Sequence, residues 1–397
     1  MVQFSTRMSQ LKGSAIRELL KLATQPDVIS FAGGMPAPEL FPVEQVMEAS
    51  MAVLKEQGRA ALQYSSTEGY PRLRQQIADR MLAKNNIKTD ADHILVTAGS
   101  QQGLDFSARV FLNPGDVVLL ESPSYLGAVN AFKAAEPTFI EVPTDDGGMI
   151  MEELEKILAT TENVKMIYVI PDFQNPTGRT WDLDRRHKFM EIVNRYEIPV
   201  VEDNPYGELR FEGEYMPALK SLDTKGLVIY LGTFSKILAP GYRIGWVCAE
   251  DEILAKYNFM EQAASLQAST IGQMETAKWI DMFDLDAHVN TIREVYKKRR
   301  DVMMDTLKNN LPEGCECTYP VGGLFTWVVL PESFNSEEKM KELQMKCLEK
   351  NVAFVAGGSF FPNGGHENTL RLNYSCMPEE KIVKGITALC ETIKENM

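Results

Sequence analysis

A lysine stands where an apolar run ends. In Leu231-Gly232-Thr233-Phe234-Ser235-Lys236, the lysine comes after two hydroxyl residues, and Pro240, Gly241 and Arg243 lie shortly beyond it. The run from Leu227 to Phe234 reads as a buried strand, and Pro240-Gly241 breaks any helix after it. A lysine in a dry site or near cations loses its proton readily and becomes an amine nucleophile toward carbonyl carbon. The hydroxyls of Thr233 and Ser235, with the guanidinium of Arg243, suit a phosphate.

The elements that must position this lysine alternate along the chain. Apolar β-like runs fall at His93–Val96, Val117–Leu120, Thr138–Val142, Lys165–Ile170, Ile198–Val201, Leu227–Leu231 and Arg243–Val247. Stretches of helical period separate them, such as Met151–Leu158 and Leu183–Tyr196. Near-continuous β-branched strands divided by helices predict an α/β fold with a mostly parallel, seven-stranded sheet between helices. In such a sheet ligands bind at the carboxyl ends of the strands, so the residues just past each run carry the functional signal.

After Ile94–Val96 comes Ala98-Gly99-Ser100-Gln101, where Ser100 is expected to cap a helix whose free N–H groups hold an anion. After Val117–Leu120 comes Glu121-Ser122-Pro123-Ser124-Tyr125, an aromatic in a proline-turned loop, able to stack on a flat ring or to fill a core. After Met166–Ile170 comes the rigid turn Gln174-Asn175-Pro176-Thr177-Gly178, whose Asn175 amide can donate to a ring oxygen. After Ile198–Val201 comes Glu202-Asp203-Asn204-Pro205-Tyr206. A carboxylate at a buried strand end is costly unless a cation meets it, and a protonated ring nitrogen would serve Asp203. Taken together, these ends specify a phosphate, an aromatic ring with a phenolic oxygen and a protonated nitrogen, and an aldehyde for Lys236. That ligand is pyridoxal 5′-phosphate.

On these motifs the chain resembles the class I/II aminotransferases of PLP fold type I, over essentially its whole length. Ile29-Ser30-Phe31-Ala32-Gly33-Gly34-Met35-Pro36 is similar to the branch with 2-aminoadipate and kynurenine aminotransferases, which also supplies the aminotransferase-like domain of MocR-type regulators. The resemblance implies that Lys236 bonds the cofactor aldehyde and then moves the substrate proton. It implies that Asp203 pairs with the ring nitrogen, that Asn175 and Tyr206 bond the ring's O3′, and that Tyr125 stacks on the ring. Ser100, Gln101, Thr233, Ser235 and Arg243 would hold the phosphate, joined by Tyr64 from a partner subunit of a homodimer. Arg371, in Thr369-Leu370-Arg371-Leu372-Asn373, matches the arginine that grips the substrate α-carboxylate, with Gly34 and Asn175 beside it. Arg17 is either a contact to an acidic substrate side chain or a surface arginine of an amphipathic helix.

The implied activity moves the α-amino group of an L-amino acid to a 2-oxo acid, with glutamate and 2-oxoglutarate as one pair. 2-Aminoadipate, aromatic and branched-chain amino acids stay open for the other. The alternatives are a β-lyase, racemase or decarboxylase on the same cofactor, or a non-enzymatic effector-binding module.

Bulk composition agrees with a small-molecule enzyme. At 397 residues and 44% hydrophobic content, two domains are expected rather than one core. The expected division is an N-terminal segment over residues 1–45 packing with a small unit, a large cofactor-binding domain over 46–288, and a small α+β domain over 289–397 that opens with a bridging helix. A net charge of −14 argues against nucleic acid and anionic membrane surfaces as partners. No stretch approaches a membrane span or a signal peptide. The six cysteines and four histidines make no metal-ligand spacing, so no metal is expected, and a reduced cytoplasmic protein is.

Overall fold

The computed structural model describes residues 2–10 and 27–397. Fifteen strands occur among them: β1 Ile29–Ser30, β2 Ile94–Thr97, β3 Val117–Glu121, β4 Thr138–Val142, β5 Thr144–Asp145, β6 Gly148–Met149, β7 Val164–Val169, β8 Val200–Asp203, β9 Val228–Thr233, β10 Gly245–Cys248, β11 Glu316–Cys317, β12 Phe325–Val329, β13 Val352–Ala353, β14 Val355–Ala356 and β15 Thr369–Asn373.

Seven strands form the main sheet in the order β2-β10-β9-β8-β7-β3-β4. The pairs from β9 to β4 are parallel, and only β10 runs antiparallel to its two neighbours. Both faces are buried, as a mostly parallel sheet requires. Tyr168, Val201 and Ile229 face one core, while Ile167, Val169, Val200 and Val228 face the other. That two-residue alternation inside unbroken apolar runs is why the runs carry no polar face.

Local chemistry trims the predicted strand starts. His93 lies in a 3₁₀ turn, Ala91–His93, because the Asp90 carboxylate accepts from the Asp92 amide at 2.9 Å. Arg243 is left-handed at φ 53° as it closes the turn Pro240–Tyr242, so pairing resumes at Gly245. The predicted strand Val352–Val355 is divided between two sheets. Val352 and Ala353 pair in parallel with β1, whereas Val355 and Ala356 pair antiparallel with β15.

A second sheet, β11-β12-β15-β14, packs with the helices Glu337–Glu349 and Glu379–Glu395. The helix Leu285–Asn310 serves both cores. Leu285, Val289, Ile292 and Tyr296 pack below the main sheet, and Met303, Met304 and Leu307 pack against the smaller one. Asp284 starts it by accepting from the amides of Asp286 and Ala287 at 2.9 and 3.0 Å.

One glycine pair sets how closely the loop after β2 approaches β10. A Cβ on Gly245 would lie 2.5 Å from the Gly99 carbonyl carbon and the Ser100 nitrogen, both backbone atoms. Gly245→Ala is therefore expected to cost about 1–3 kcal/mol by overpacking, read as a lower urea midpoint. A midpoint equal to the parent's would contradict this close approach.

Candidate active site

Lys236 sits just past the end of β9. The Thr233 hydroxyl donates to the Ile244 carbonyl at 3.1 Å and accepts from the Ser235 amide at 3.1 Å. Its oxygen also lies 2.9 Å from the Ser235 hydroxyl, so both hydroxyls are held beneath the turn. Lys236 Nζ donates to the Gly34 carbonyl at 2.7 Å. Burial, with the nearby charges of Arg371 and Arg243, lowers its ammonium pKa to about 8. Roughly a tenth is then unprotonated at neutral pH, far more than for an ordinary lysine, and free to attack a carbonyl carbon.

Asp203 ends β8, almost fully buried. Its Oδ2 accepts from the Tyr168 hydroxyl at 2.9 Å, while Oδ1 is buried with no partner. Burial pushes the carboxyl up to about 7, and the Tyr168 hydrogen bond pulls the other way. Its sequence neighbour Glu202 is also pushed up to about 7 by burial, but points to the opposite face. There both oxygens are satisfied at 2.8 Å by the amides of Leu219 and Lys220. Glu202 is an anchor, whereas Asp203 lacks a positive donor.

Arg371, on β15, is held between two rings, with its guanidinium carbon 4.2 Å from the Phe325 centroid and 5.1 Å from that of Phe360. It donates to Asn175 Oδ1 at 2.8 Å and to the Ala32 carbonyl at 2.6 Å. Its Nε is buried and unpartnered, and among the described residues no carboxylate pairs with it. Burial lowers its pKa to about 10, yet it stays charged at neutral pH. Asn175 Nδ2 also donates to the Tyr206 hydroxyl at 3.4 Å, and the Tyr206 ring meets Phe325 edge-on at 5.9 Å.

At the other end, the helix Ser100–Phe111 begins beside Arg243. The expected cap is corrected here. Gly99, at φ 77°, occupies the cap position, and Ser100 is the first helical residue with no capping side-chain bond. Glycine suits that position because its backbone, at φ 77° and ψ 165°, is one that side-chain-bearing residues rarely adopt, and a Cβ would also displace the Arg243 guanidinium, 2.5 Å away. The first-turn N–H groups and Arg243 together form an anion cradle. Gln101 donates to the Gly127 carbonyl at 2.9 Å and accepts from the Tyr125 hydroxyl at 3.5 Å.

The structure thus gathers Lys236, Asp203, Asn175, Tyr206, Arg371, Gly34, Tyr125, Ser100, Gln101, Thr233, Ser235 and Arg243 around the carboxyl ends of one sheet. Tyr64 is 79% exposed, and among the described residues no side-chain contact ties it to this cluster. Arg17 lies outside the described residues. Four residues to which the sequence reading gives no role of their own also contribute: Tyr168 behind Asp203, Phe325 and Phe360 around Arg371, and Gln174 in the turn that presents Asn175. Gln174 donates to the Pro123 carbonyl at 2.7 Å and accepts from the Thr177 amide at 2.9 Å, clamping the Tyr125 loop to the Asn175 loop. Among the described residues no cluster of three or more acidic, His or Cys groups can hold a metal, and no helix is long and apolar enough to cross a membrane.

The family model for aminotransferase class I and II matches residues 26–389. The chain belongs to the class I and II aminotransferases. It is 46% identical to aromatic-amino-acid aminotransferase 1 of Thermococcus litoralis, over 99% of this chain and 94% of that one. It is 40% identical to the 2-aminoadipate transaminase of Thermus thermophilus, over 98% and 96%. The crystal structure of Pyrococcus horikoshii kynurenine aminotransferase in complex with PMP superposes with a TM-score of 0.93 at 42% identity, covering 99% of this chain and 97% of that one. This aminotransferase therefore has the type I fold and uses pyridoxal 5′-phosphate. The site fits that cofactor: the orphaned Asp203 Oδ1 suits a protonated ring nitrogen, and the cradle at Gly99 and Arg243 suits a phosphate.

Glu121, Glu202 and Asp203 each have a carboxyl pushed up to about 7 by burial. The folded chain keeps these protons after the unfolded chain has released them near pH ~4. Their stabilising contribution is therefore full at acid pH and falls as pH rises toward neutrality. The cofactor-free aminotransferase should show a urea midpoint lower at about pH 8 than at about pH 5, with Glu202→Gln reducing that decline. An unchanged decline in the variant would contradict the assignment for Glu202.

Proposed function

We propose that this aminotransferase exchanges the amino group of glutamate with 2-oxoglutarate in one half of its cycle, and acts on 2-aminoadipate or an aromatic amino acid in the other. The observation that carries the reading is Arg371, a buried guanidinium with an unpartnered Nε and no carboxylate facing it among the described residues. Its planar fork is suited to a substrate α-carboxylate, and Phe325 and Phe360 hold it flat. Asn175, already bonded to Arg371, orients the same carboxylate, with the Gly34 backbone beside it.

When bound, pyridoxal 5′-phosphate supplies an aldehyde that takes up amines and a ring that accepts electrons from the substrate Cα. Lys236 Nζ is the group that holds the aldehyde at rest and moves the Cα proton; its lowered pKa supports both tasks. Asp203 Oδ1 keeps the ring nitrogen protonated. Asn175 and Tyr206 would donate to the ring's phenolic oxygen, and the Tyr125 ring would lie against the pyridine face. Ser100, Gln101, Thr233, Ser235 and Arg243 take the phosphate. The exposed Tyr64 joins them from the partner subunit of a homodimer. The free cysteines suit a reducing cytoplasm.

Arg371→Lys loses the two-pronged grip, worth ~1.5–3 kcal/mol for hydrogen bonds to a charged group. The KM for the amino donor should rise on the order of 10–100-fold, with cofactor absorbance unaltered; an unaltered KM would remove Arg371 from carboxylate binding. For the activity itself, cofactor-loaded protein is given glutamate, 2-aminoadipate or phenylalanine with and without an acceptor 2-oxo acid. Sustained product formation should require the acceptor. Turnover without one would point to lyase or decarboxylase chemistry.

A further inference from the structure

We infer that Tyr168 is a positioning residue for the cofactor ring: its hydroxyl aims Asp203 Oδ1 at the ring nitrogen and favours the ionised carboxylate. This rests on the reading of Asp203 as the ring-nitrogen partner. Tyr168 lies on β7 directly across from Val201 on β8, so Asp203, two residues further, projects from the same face. The phenol is completely buried and held by an edge-to-face contact with Phe132 at 5.5 Å. Its hydroxyl donates to Asp203 Oδ2 at 2.9 Å. Burial and the adjacent carboxylate hold Tyr168 in its protonated form, so it remains a donor throughout the working pH range.

The other groups facing the carboxylate give this hydrogen bond its weight. Tyr125 and Tyr206 are the other titratable side chains coupled to Asp203, and both stay protonated because burial raises their pKa values. No lysine or arginine acts on Asp203 directly. The single hydrogen bond from Tyr168 is therefore the protein's own contribution to keeping Asp203 ionised against burial. It also occupies Oδ2, which leaves Oδ1 as the free oxygen. With this donor removed, Asp203 holds its proton to higher pH and pairs less strongly with a ring cation. The ring nitrogen then releases its proton at lower pH.

The test uses holoenzyme loaded with ¹⁵N-labelled pyridoxal 5′-phosphate, with the ring-nitrogen chemical shift followed against pH. Tyr168→Phe should lower the midpoint of that titration by on the order of one pH unit and weaken cofactor binding, while Tyr168→His, which retains a donor, recovers part of the shift. A Tyr168→Phe titration that overlays the parent's, while Asp203→Asn abolishes ring protonation, overturns the role of Tyr168 and leaves that of Asp203 standing. An Asp203→Asn titration that also overlays the parent's overturns both. If Tyr168→Phe does not fold, 3-fluorotyrosine at position 168, a stronger donor, carries the test in the opposite direction. Its midpoint should rise, and an unmoved midpoint overturns the inference.

Discussion

Three ionisable groups without ion-pair partners of their own, Asp203 and Arg371 buried and Lys236 half-buried, set the terms for this fold. Asp203 has one oxygen unpartnered, Arg371 has an unpartnered Nε, and Lys236 is bonded to a neutral carbonyl. Each is costly in a dry interior, and none neutralises another: Lys236 and Arg371 carry the same sign, and neither acts on Asp203. Stability must come from elsewhere, from a sheet buried on both faces and from a helix that serves two cores. On the proposed reading, the cofactor and the substrate carboxylate would supply the missing charges, so that ligand binding and the relief of buried charge would be one event.

The segment from Phe31 to Glu39 joins Lys236 and Arg371 physically. The Asn373 amide and Arg371 donate to its Phe31 and Ala32 carbonyls, Lys236 to Gly34, and Ser375 to Met35 at 2.8 Å. The Ala37 amide then donates to Tyr296, and Glu39 accepts from Arg299, both on the helix Leu285–Asn310. The smaller sheet, the long helix and the lysine loop of the main sheet thus share one strand of backbone. A substrate engaging both Lys236 and Arg371 acts on this segment from two sides.

Much of this was legible in the sequence because the signals are local. A strand buried on both faces reads as an apolar run, and the helices Leu183–Tyr196 and Glu379–Glu395 keep to their own period, the first capped by Asp182. Lys236, Asp203 and Asn175 were legible because each stands where such a run ends. The features that could not be read depend on partners distant in sequence. Tyr168 looks like any core aromatic until β8 is placed beside it, and Phe325 and Phe360 become a clamp only once β15 brings Arg371 between them. The split of Val352–Val355 between two sheets, and the displacement of Ser100 by Gly99 as helix cap, were likewise decided by neighbours rather than by propensity.

The central claim is that Lys236 is the nucleophile these surroundings prepare. Treating the cofactor-loaded protein with borohydride and mapping the modified peptide by mass spectrometry tests it directly. The account predicts a single phosphopyridoxyl addition at Lys236, absent from Lys236→Ala. The same addition at another lysine, or none in a protein that has bound cofactor, would contradict it.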